Sequence, residues 1–255
     1  MLMNNDVMYH IGLRPSDAAP AAIICGDPGR VEKIARMMDE PQFVASKREY
    51  TTWSARIGGK RVLIVSHGIG GPSTAICIEE LHMIGVKTLI RVGTCGGMAM
   101  DVKTGDLVIA QAAIRAEGTS REYLPVEFPA AADFSVTCAL KSAADNCGKP
   151  SHVGVVHCKD SFYGQHSPEK SPVSWELLQK WESWKRLGVK ASEMESAALF
   201  VVAAALNVRC GSCFHAVWNQ EREKLGMELP MTEDTSGAIR VGIEAMKRVI
   251  LADRK

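Results

Sequence analysis

The 255-residue chain lacks the features that mark several large classes of proteins. No apolar run reaches the roughly 18 residues that a membrane-spanning helix needs. There is no long run of one charge, and the formal net charge is only +1, so neither nucleic acid nor a membrane is favoured as a partner. We therefore expect a cytoplasmic protein that binds a small molecule.

Two familiar phosphate-binding signatures, the dinucleotide fingerprint and the Walker loop, are also absent. The eight cysteines lie mostly in apolar runs, for example Cys25, Cys77 and Cys138, and we predict buried, reduced thiols rather than disulfides. Cys210 and Cys213 have the spacing of a redox pair or half a zinc site. No second such pair occurs, and residues 208–217 have a strand pattern in which positions three apart face opposite sides, so we predict an ordinary strand.

What the chain does contain is three short apolar segments that run into glycine. They are residues 21–25 followed by 26–30, residues 62–66 followed by 68–73, and residues 89–92 followed by 93–97. Each alone is an ordinary strand-to-helix turn, but Arg30 and Arg91 lie in the first and third. Glycine lets backbone N–H groups approach an anion, a helix N-terminus adds positive partial charge, and guanidinium is a forked cationic donor. The combination predicts an oxyanion site, with phosphate as the expected ligand.

The rest of the chain alternates apolar runs with helical periodicity. The pattern predicts strands over 106–114, 153–158 and 210–218, helices over 136–146, 192–206 and 238–251, and a long surface loop over 163–174. Near-continuous apolar strands favour a central, partly parallel sheet with helices on both faces. We predict one α/β domain over residues 1–255.

Residues 191–196 have two interpretations. Ser192 lies three residues before Glu195, which is the spacing of a capping box, and acidic residues in a first turn favour the helix dipole. A purely structural role at the start of a helix could then account for both Glu193 and Glu195. Alternatively, a carboxylate at the carboxyl edge of the strands is well placed to accept paired hydrogen bonds from the diol of a sugar. The residues alone leave both interpretations open.

Seven segments, in order along nearly the whole chain, resemble those of a known family. They are residues 26–30 (GDPGR), 46–53 (SKREYTTW), 68–73 (GIGGPS), 91–96 (RVGTCG), 127–130 (EFPA), 160–163 (DSFY) and 193–196 (EMES). Together they are similar to the nucleoside phosphorylase superfamily, and residues 70–73 and 127–129 favour its uridine phosphorylase branch. The resemblance implies a single three-layer α/β domain with a central mixed, partly barrel-like sheet flanked by helices.

The resemblance also implies an activity, the reversible phosphorolysis of uridine to uracil and α-ribose 1-phosphate with inversion at the anomeric carbon, in pyrimidine salvage. Phosphate is then the co-substrate, and no cofactor is required. The implied phosphate ligands are Gly26, Arg30, Arg48, Arg91 and Thr94, the ribose contacts are His10, Thr94, Met194 and Glu195, and the base contacts are Phe162, Gln165 and Gly96. Of these, Arg30, Arg91 and Glu195 are expected to be catalytic.

By the same resemblance, each active site is shared between two chains. Arg48 and His10 are implied to reach it from the neighbouring subunit, and the homo-oligomer is expected to be the family's hexamer built from dimers. The sequence leaves a simple dimer open.

The base-binding segment departs from the family pattern, in which arginine follows the glutamine by two residues. Here Gln165 is present and the arginine is absent; His166, Lys170 and Arg222 are the candidates for the missing donor. Purine-specific relatives carry an aspartate near position 219, where this chain has Asn219. That difference favours a pyrimidine.

Glu49, Ile69 and Ser73 match positions that hold a monovalent cation at the dimer interface of some relatives, which implies a structural K⁺. The alternative is that Glu49 pairs with a basic side chain and Ser73 caps the following helix.

Three other functions are alternatives to uridine phosphorolysis. A purine or broad-specificity nucleoside phosphorylase is the nearest alternative, whereas a hydrolytic nucleosidase has no need of three phosphate-directed arginines. A nonenzymatic nucleoside or phosphate sensor is the alternative from a different class. Retention of Glu195 together with Arg30, Arg48 and Arg91 argues against it.

Overall fold

The computed structural model of the chain describes residues 3–4, 7–227 and 230–253. The predicted domain spans residues 1–255, so its first two and last two residues lie outside the described residues, as do 5–6 and 228–229. Within the described ranges, no helix is both long enough and apolar enough to cross a membrane.

The strands of the described residues are β1 (Met3–Asn4), β2 (Val7–Met8), β3 (Ala21–Cys25), β4 (Asp39–Lys47), β5 (Tyr50–Ile57), β6 (Lys60–Ser66), β7 (Thr88–Gly97), β8 (Leu107–Ala116), β9 (Ala130–Ala131), β10 (Ser151–Lys159), β11 (Ala191–Glu193) and β12 (Arg209–Asn219). The α-helices are α1 (Pro28–Ala35), α2 (Gly71–Met83), α3 (Thr119–Tyr123), α4 (Phe134–Asp145), α5 (Phe162–His166), α6 (Ser174–Arg186), α7 (Ser196–Ala205), α8 (Gln220–Glu223) and α9 (Ser236–Ala252), and short 3₁₀ turns lie at Pro15–Asp17 and Pro168–Lys170.

Strands β3 to β12 form one mixed sheet that is closed at one end. The closed part runs β11, β10, β8, β12, β7 and back to β11, which pairs antiparallel with β7. From β7 the sheet continues as an open extension through β3, β6, β5 and β4. This geometry confirms the predicted mixed, partly barrel-like sheet.

Two apolar clusters cover the two faces of the sheet. One is built with α2 and α7, and the other with α1, α4 and α9. Cys210 belongs to the first cluster and Cys213 to the second, which confirms that the pair is split across a strand. All eight cysteines are free thiols, but Cys138 is exposed on α4, so the prediction that it is buried was wrong.

Two segments differ from the predicted elements. Residues 93–97, expected to form a glycine turn, continue strand β7, because β12 pairs with them as far as Gly97 and β11 pairs with Gly96 and Gly97 from the other side. The predicted loop over 163–174 contains most of α5 and a 3₁₀ turn, and α5 begins where the Ser161 side chain accepts a hydrogen bond from the backbone N–H of Gly164.

The first two glycine segments do connect a strand to a helix, β3 to α1 and β6 to α2. These strands are parallel neighbours, so their carboxyl ends meet at one edge. The backbone N–H of Gly68 donates to Gly26 O at 3.1 Å, which fixes the two loops side by side. Gly68 has a positive φ of 73°, and a Cβ there would lie 2.9 Å from Glu49 Cγ, so this close approach requires glycine.

Candidate active site

A cavity of about 1260 Å³ opens at the carboxyl ends of β3, β6, β7, β10, β11 and β12. Crevices at this edge of an α/β sheet are where ligands usually bind. The predicted site residues that line it are Gly26, Arg30, Glu49, Ile69, Ser73, Arg91, Thr94, Gly96, Phe162, Gln165, Met194 and Glu195. His10 and Arg48 are not among its lining residues. The fold therefore brings together residues that are up to 169 positions apart, from Gly26 to Glu195.

One end of the cavity combines a helix N-terminus with a guanidinium group. Asp27 caps α1 by accepting the backbone N–H of Gly29 at 2.8 Å, and Arg30 lies half-buried in the first turn. Gly26 leads into the helix, and a Cβ at this position would lie 3.1 Å from Gly68 O. Exposed N–H groups and positive charge at this end suit an oxyanion.

Arg91 lies on β7, between β3 and β12, with only 4% of its surface exposed. Its Nη2 makes a close ion pair with Glu195, its Nη1 lies 3.4 Å from a carboxylate oxygen of Glu193, and its Nε donates to His67 Nε2 at 3.3 Å. Among the described residues Nη1 has no hydrogen-bond partner. This donor, on a side chain that lines the cavity, is available to an anionic ligand.

Gly93 makes room for this arginine. A Cβ at position 93 would lie 2.6 Å from Arg91 Nη1 and 3.1 Å from Cδ1 of Phe214, whose ring centroid lies 5.1 Å from Arg91 Cζ. Glycine is thus needed at position 93 because the guanidinium packs against it, and not because the chain turns there.

His67 is fully buried and holds the Nε side of Arg91. Burial, together with the positive charge of Arg91, lowers the pKa of His67 to about 3. The ring is therefore neutral near pH 7, its Nε2 accepts from Arg91, and its Nδ1 faces Thr74 Oγ1 at 3.1 Å. His67 is a positioning residue, because it acts through Arg91.

We expect His67 to make the protein less stable as the pH falls from 7 to 5. The unfolded chain protonates this histidine at about pH 6.5, whereas the folded protein resists protonation until about pH 3. The unfolded state therefore binds more protons in this window, and the cost at pH 5 is about 2 kcal/mol. Urea unfolding at both pH values should show a shallower pH dependence for His67→Asn than for the unmodified protein. Equal pH dependence in the two proteins would contradict this account.

Two buried carboxylates lie at the end of β11 and just after it. Glu193 accepts hydrogen bonds from the backbone N–H groups of Glu195 and Ser196 at 3.0 Å each, and burial raises its pKa. Burial also opposes ionisation of Glu195, but the charge of Arg91 and a 2.8 Å hydrogen bond from Gly70 N more than offset it and lower the pKa of Glu195. Glu195 is therefore an anion held at the edge of the cavity.

The predicted start of the helix at Ser192 was wrong. Ser192 lies on β11, paired with β10 and β7, and α7 begins at Ser196. The backbone N–H groups at the helix start are satisfied by Glu193, not by Ser192. The capping-box interpretation thus fails, and the partners of the Glu195 carboxylate include Arg91 and Gly70.

The other end of the cavity carries aromatic and amide side chains. Phe162 and His166 are in ring contact with centroids 4.3 Å apart, and Trp218 lies 5.7 Å from His166. Gln165 accepts a 2.6 Å hydrogen bond from Ser192 Oγ. Ser192 Oγ in turn accepts a 2.7 Å hydrogen bond from Nζ of Lys159, which also lines the cavity. This end offers a stacking surface and polar groups for a planar heterocycle.

Of the three candidates for the missing donor, only His166 lines the cavity. Lys170 is exposed in a 3₁₀ turn, and the Arg222 guanidinium donates to the backbone carbonyls of Met100 and Met227 at 2.9 Å each. Asn219 is fully buried and outside the cavity lining. Its amide caps α8 and donates to two backbone carbonyls, so it is a structural residue, not a base contact.

The two residues outside the cavity are those expected to serve a neighbouring chain. Arg48 is exposed at the turn between β4 and β5, with a positive φ of 55°. The His10 ring contacts the buried carboxylate of Glu80 at 2.7 Å, and the backbone N–H groups of His10 and Ile11 donate to the same group. The His10 position is therefore anchored by Glu80, and neither residue lines this chain's own cavity.

The residues of the predicted cation site lie together at the cavity wall. Ser73 Oγ donates to Glu49 Oε1 at 2.9 Å and also contacts His67 O. The N-cap of α2 is Gly70, so the alternative in which Ser73 caps that helix was wrong.

Sequence reasoning missed Lys159, Glu193 and His67 as site residues. Lys159 ends an apolar strand immediately before the 160–163 motif, and that position was the available signal. His67 lies within the second glycine segment, and Glu193 lies within the 193–196 motif, where it was treated as a helix-start residue.

The comparisons with known proteins agree with this geometry. Residues 20–252 match the model of the family described as the phosphorylase superfamily. The chain is 50% identical to a uridine phosphorylase of Treponema pallidum (strain Nichols), over 99% of this chain and 98% of that protein. It is 39% identical to a uridine phosphorylase of Escherichia coli (strain K12), over 97% and 100%, and 36% identical to a guanosine phosphorylase of Halorubrum lacusprofundi, over 93% and 97%.

The fold and the cavity lined by Arg30 and Arg91 agree with this family match. The chain belongs to the phosphorylase superfamily.

Proposed function

We propose that this protein is a pentosyltransferase that converts uridine and phosphate to uracil and α-ribose 1-phosphate, reversibly, in pyrimidine salvage. The observation that carries the proposal is Arg91, buried between the cavity and the anionic Glu195 with one donor nitrogen unused. The relatives named uridine phosphorylase support the choice of base. Phosphate is the co-substrate, and the reaction needs no other cofactor.

Phosphate would bind where Gly26, Arg30, Arg91 and Thr94 meet, with Arg48 of a neighbouring chain as the third guanidinium. Three cations offset the repulsion that opposes a phosphate dianion near Glu195, and they hold one phosphate oxygen below the anomeric carbon. Proximity and electrostatic stabilisation then supply most of the rate enhancement.

The ribose would lie between the two ends, held by Thr94, Met194 and Glu195, with His10 of the neighbouring chain at the 5′-hydroxyl. Glu195 accepts hydrogen bonds from the sugar diol. As the bond from C1′ to the base nitrogen breaks, its electron pair leaves with uracil, and a phosphate oxygen forms the new bond to C1′ from the opposite face. Phe162, Gln165 and Gly96 would hold the uracil.

The proposal includes a shared active site. Because Arg48 and His10 lie outside this chain's cavity, the complete site requires a second copy, as a dimer or as a hexamer of dimers. Residues 1–255 would act as one domain in that assembly.

A monovalent cation at Glu49, Ile69 and Ser73 is a further part of the proposal. The carboxylate of Glu49 and the hydroxyl of Ser73 are 2.9 Å apart, and hard oxygen donors of this kind suit an alkali cation such as K⁺. The backbone carbonyl of Ile69 would add a third oxygen. The ion would fix the β4–β5 turn, which carries Arg48, against α2.

The direct test is the loss of uridine absorbance with and without phosphate. A phosphorylase consumes uridine only when phosphate is present, and a nucleosidase consumes it without phosphate. A sensor does not consume uridine under either condition. Guanosine and inosine belong in the same assay, because one relative is a guanosine phosphorylase. If a purine nucleoside is turned over faster than uridine, that nucleoside replaces uridine as the proposed substrate.

We expect Gln165→Ala to lower kcat/KM for uridine by one to two orders of magnitude. Loss of this amide leaves a polar edge of uracil unpaired, at a cost of roughly 1 to 3 kcal/mol. The KM for phosphate should stay nearly constant, and discrimination between uridine and inosine should shrink. Gln179→Ala, on the exposed face of α6, is the matched control. An unchanged preference for uridine in Gln165→Ala would remove this residue from base recognition.

A further inference from the structure

Lys159 is a buried lysine that nothing in the reaction described so far uses. It ends β10 with 7% of its surface exposed, and its side chain lines the cavity at the base end. Lysine is almost never buried to this extent without a partner of opposite charge. Within the described residues, no carboxylate lies within 4.0 Å of its Nζ.

The partner that Lys159 does have connects it to Gln165. Its Nζ donates to Ser192 Oγ at 2.7 Å, and this hydroxyl donates to Gln165 Oε1 at 2.6 Å. One hydroxyl group thus separates the ammonium from the amide proposed to bind uracil. An ammonium has three donors, so two remain for a ligand.

Burial and a nearby carboxylate have opposite effects on the pKa of Lys159. Burial lowers the pKa of Lys159, but the charge of Glu193 opposes that shift. Lys159 and Gln165 also line a second cavity of about 590 Å³, so the lysine side chain borders two cavities.

We infer that Lys159 takes the place of the arginine absent from this chain's base-binding segment, donating to a carbonyl oxygen of uracil in the transition state. This inference rests on the proposed function. Uracil leaves with the electron pair of the broken bond, and the negative charge spreads onto its carbonyl oxygens. A buried ammonium stabilises that charge more than it stabilises neutral uridine, so its contribution is largest in the transition state. The hydrogen bond requires no proton transfer.

The test compares Lys159→Met, which keeps the length of the side chain and removes its charge, with Lys170→Met as a matched control. Lys170 is the exposed lysine of the same region, outside the cavity lining. We expect Lys159→Met to lower kcat for uridine about a hundredfold. For 5-fluorouridine, whose base leaves more easily, the loss should be less than about tenfold, since less charge stabilisation is needed. The KM for phosphate should not change.

Binding of free uracil supplies a readout independent of turnover. Calorimetry should show weaker uracil binding to Lys159→Met than to the unmodified protein, and no change for Lys170→Met. Equal losses of kcat with the two nucleosides, or unchanged uracil affinity, would overturn the role of Lys159. If the unmodified protein does not consume uridine in the presence of phosphate, the proposed function itself is wrong, and that result is visible before any variant is made.

Discussion

Arg91→Ala should lower kcat/KM for uridine about a hundredfold, equivalent to about 3 kcal/mol of transition-state stabilisation. The substitution removes the donor nitrogen proposed to contact phosphate and leaves Glu193 and Glu195 without their cation. Arg91→Lys should not restore the rate, because an ammonium does not reproduce the planar, forked donor geometry of the guanidinium. Steady-state kinetics with varied phosphate would measure the loss.

Stability must be followed in parallel, since removing one partner of a buried ion pair leaves an uncompensated charge. Arg91→Lys keeps the positive charge and serves as the variant most able to fold. Arg240→Ala, on the exposed face of α9, controls for loss of an arginine as such. Near wild-type phosphorolysis in either Arg91 variant would exclude Arg91 from the reaction.

The second large effect is recovery of activity on mixing two inactive chains, Arg48→Ala and Glu195→Ala. Arg48 is exposed and does not line its own chain's cavity, whereas Glu195 lines it. In a symmetric dimer, a mixed pair would contain one site with both defects and one intact site. Random pairing at equal amounts should therefore leave roughly a quarter of the sites intact. Co-refolding followed by the uridine assay would measure the recovered fraction.

The informative control mixes Arg48→Ala with His10→Ala. Both residues are proposed to come from the same donor chain, so no site in a mixed dimer would be intact. If Arg48→Ala and Glu195→Ala stay inactive together while both parents remain folded and associated, each site belongs to a single chain.

The sequence was sufficient to predict that Gly26, Arg30 and Arg91 come together in the fold. Glycine next to an apolar strand and arginine at the following helix or strand are local signals, and Gly26, Arg30 and Arg91 all line one cavity. Even so, the local pattern assigned residues 93–97 to a turn. Whether a glycine segment turns or continues depends on pairing with β11 and β12, which come from about a hundred residues further along the chain.

Errors at β11 and at Lys159 have the same origin. Ser192 and Glu195 have capping-box spacing, but pairing of β11 with two other strands keeps residues 191–193 extended. Lys159 at the end of an apolar run resembles a lysine that leaves the core for solvent. Its burial depends on Ser192 and Gln165, which come from β11 and α5, and no local pattern carries that information.

Because Gly93 packs against Arg91, the effect of a mutation at position 93 depends on the residue at position 91. A methyl group at position 93 would lie 3.0 Å from Arg91 Cζ, so alanine there should be harmful while the arginine is present and less harmful once residue 91 is small. The order in which the two changes occur then matters. A lineage that lost the guanidinium and later acquired a larger residue at position 93 could not regain the arginine in one step, so loss of this buried guanidinium would be hard to reverse.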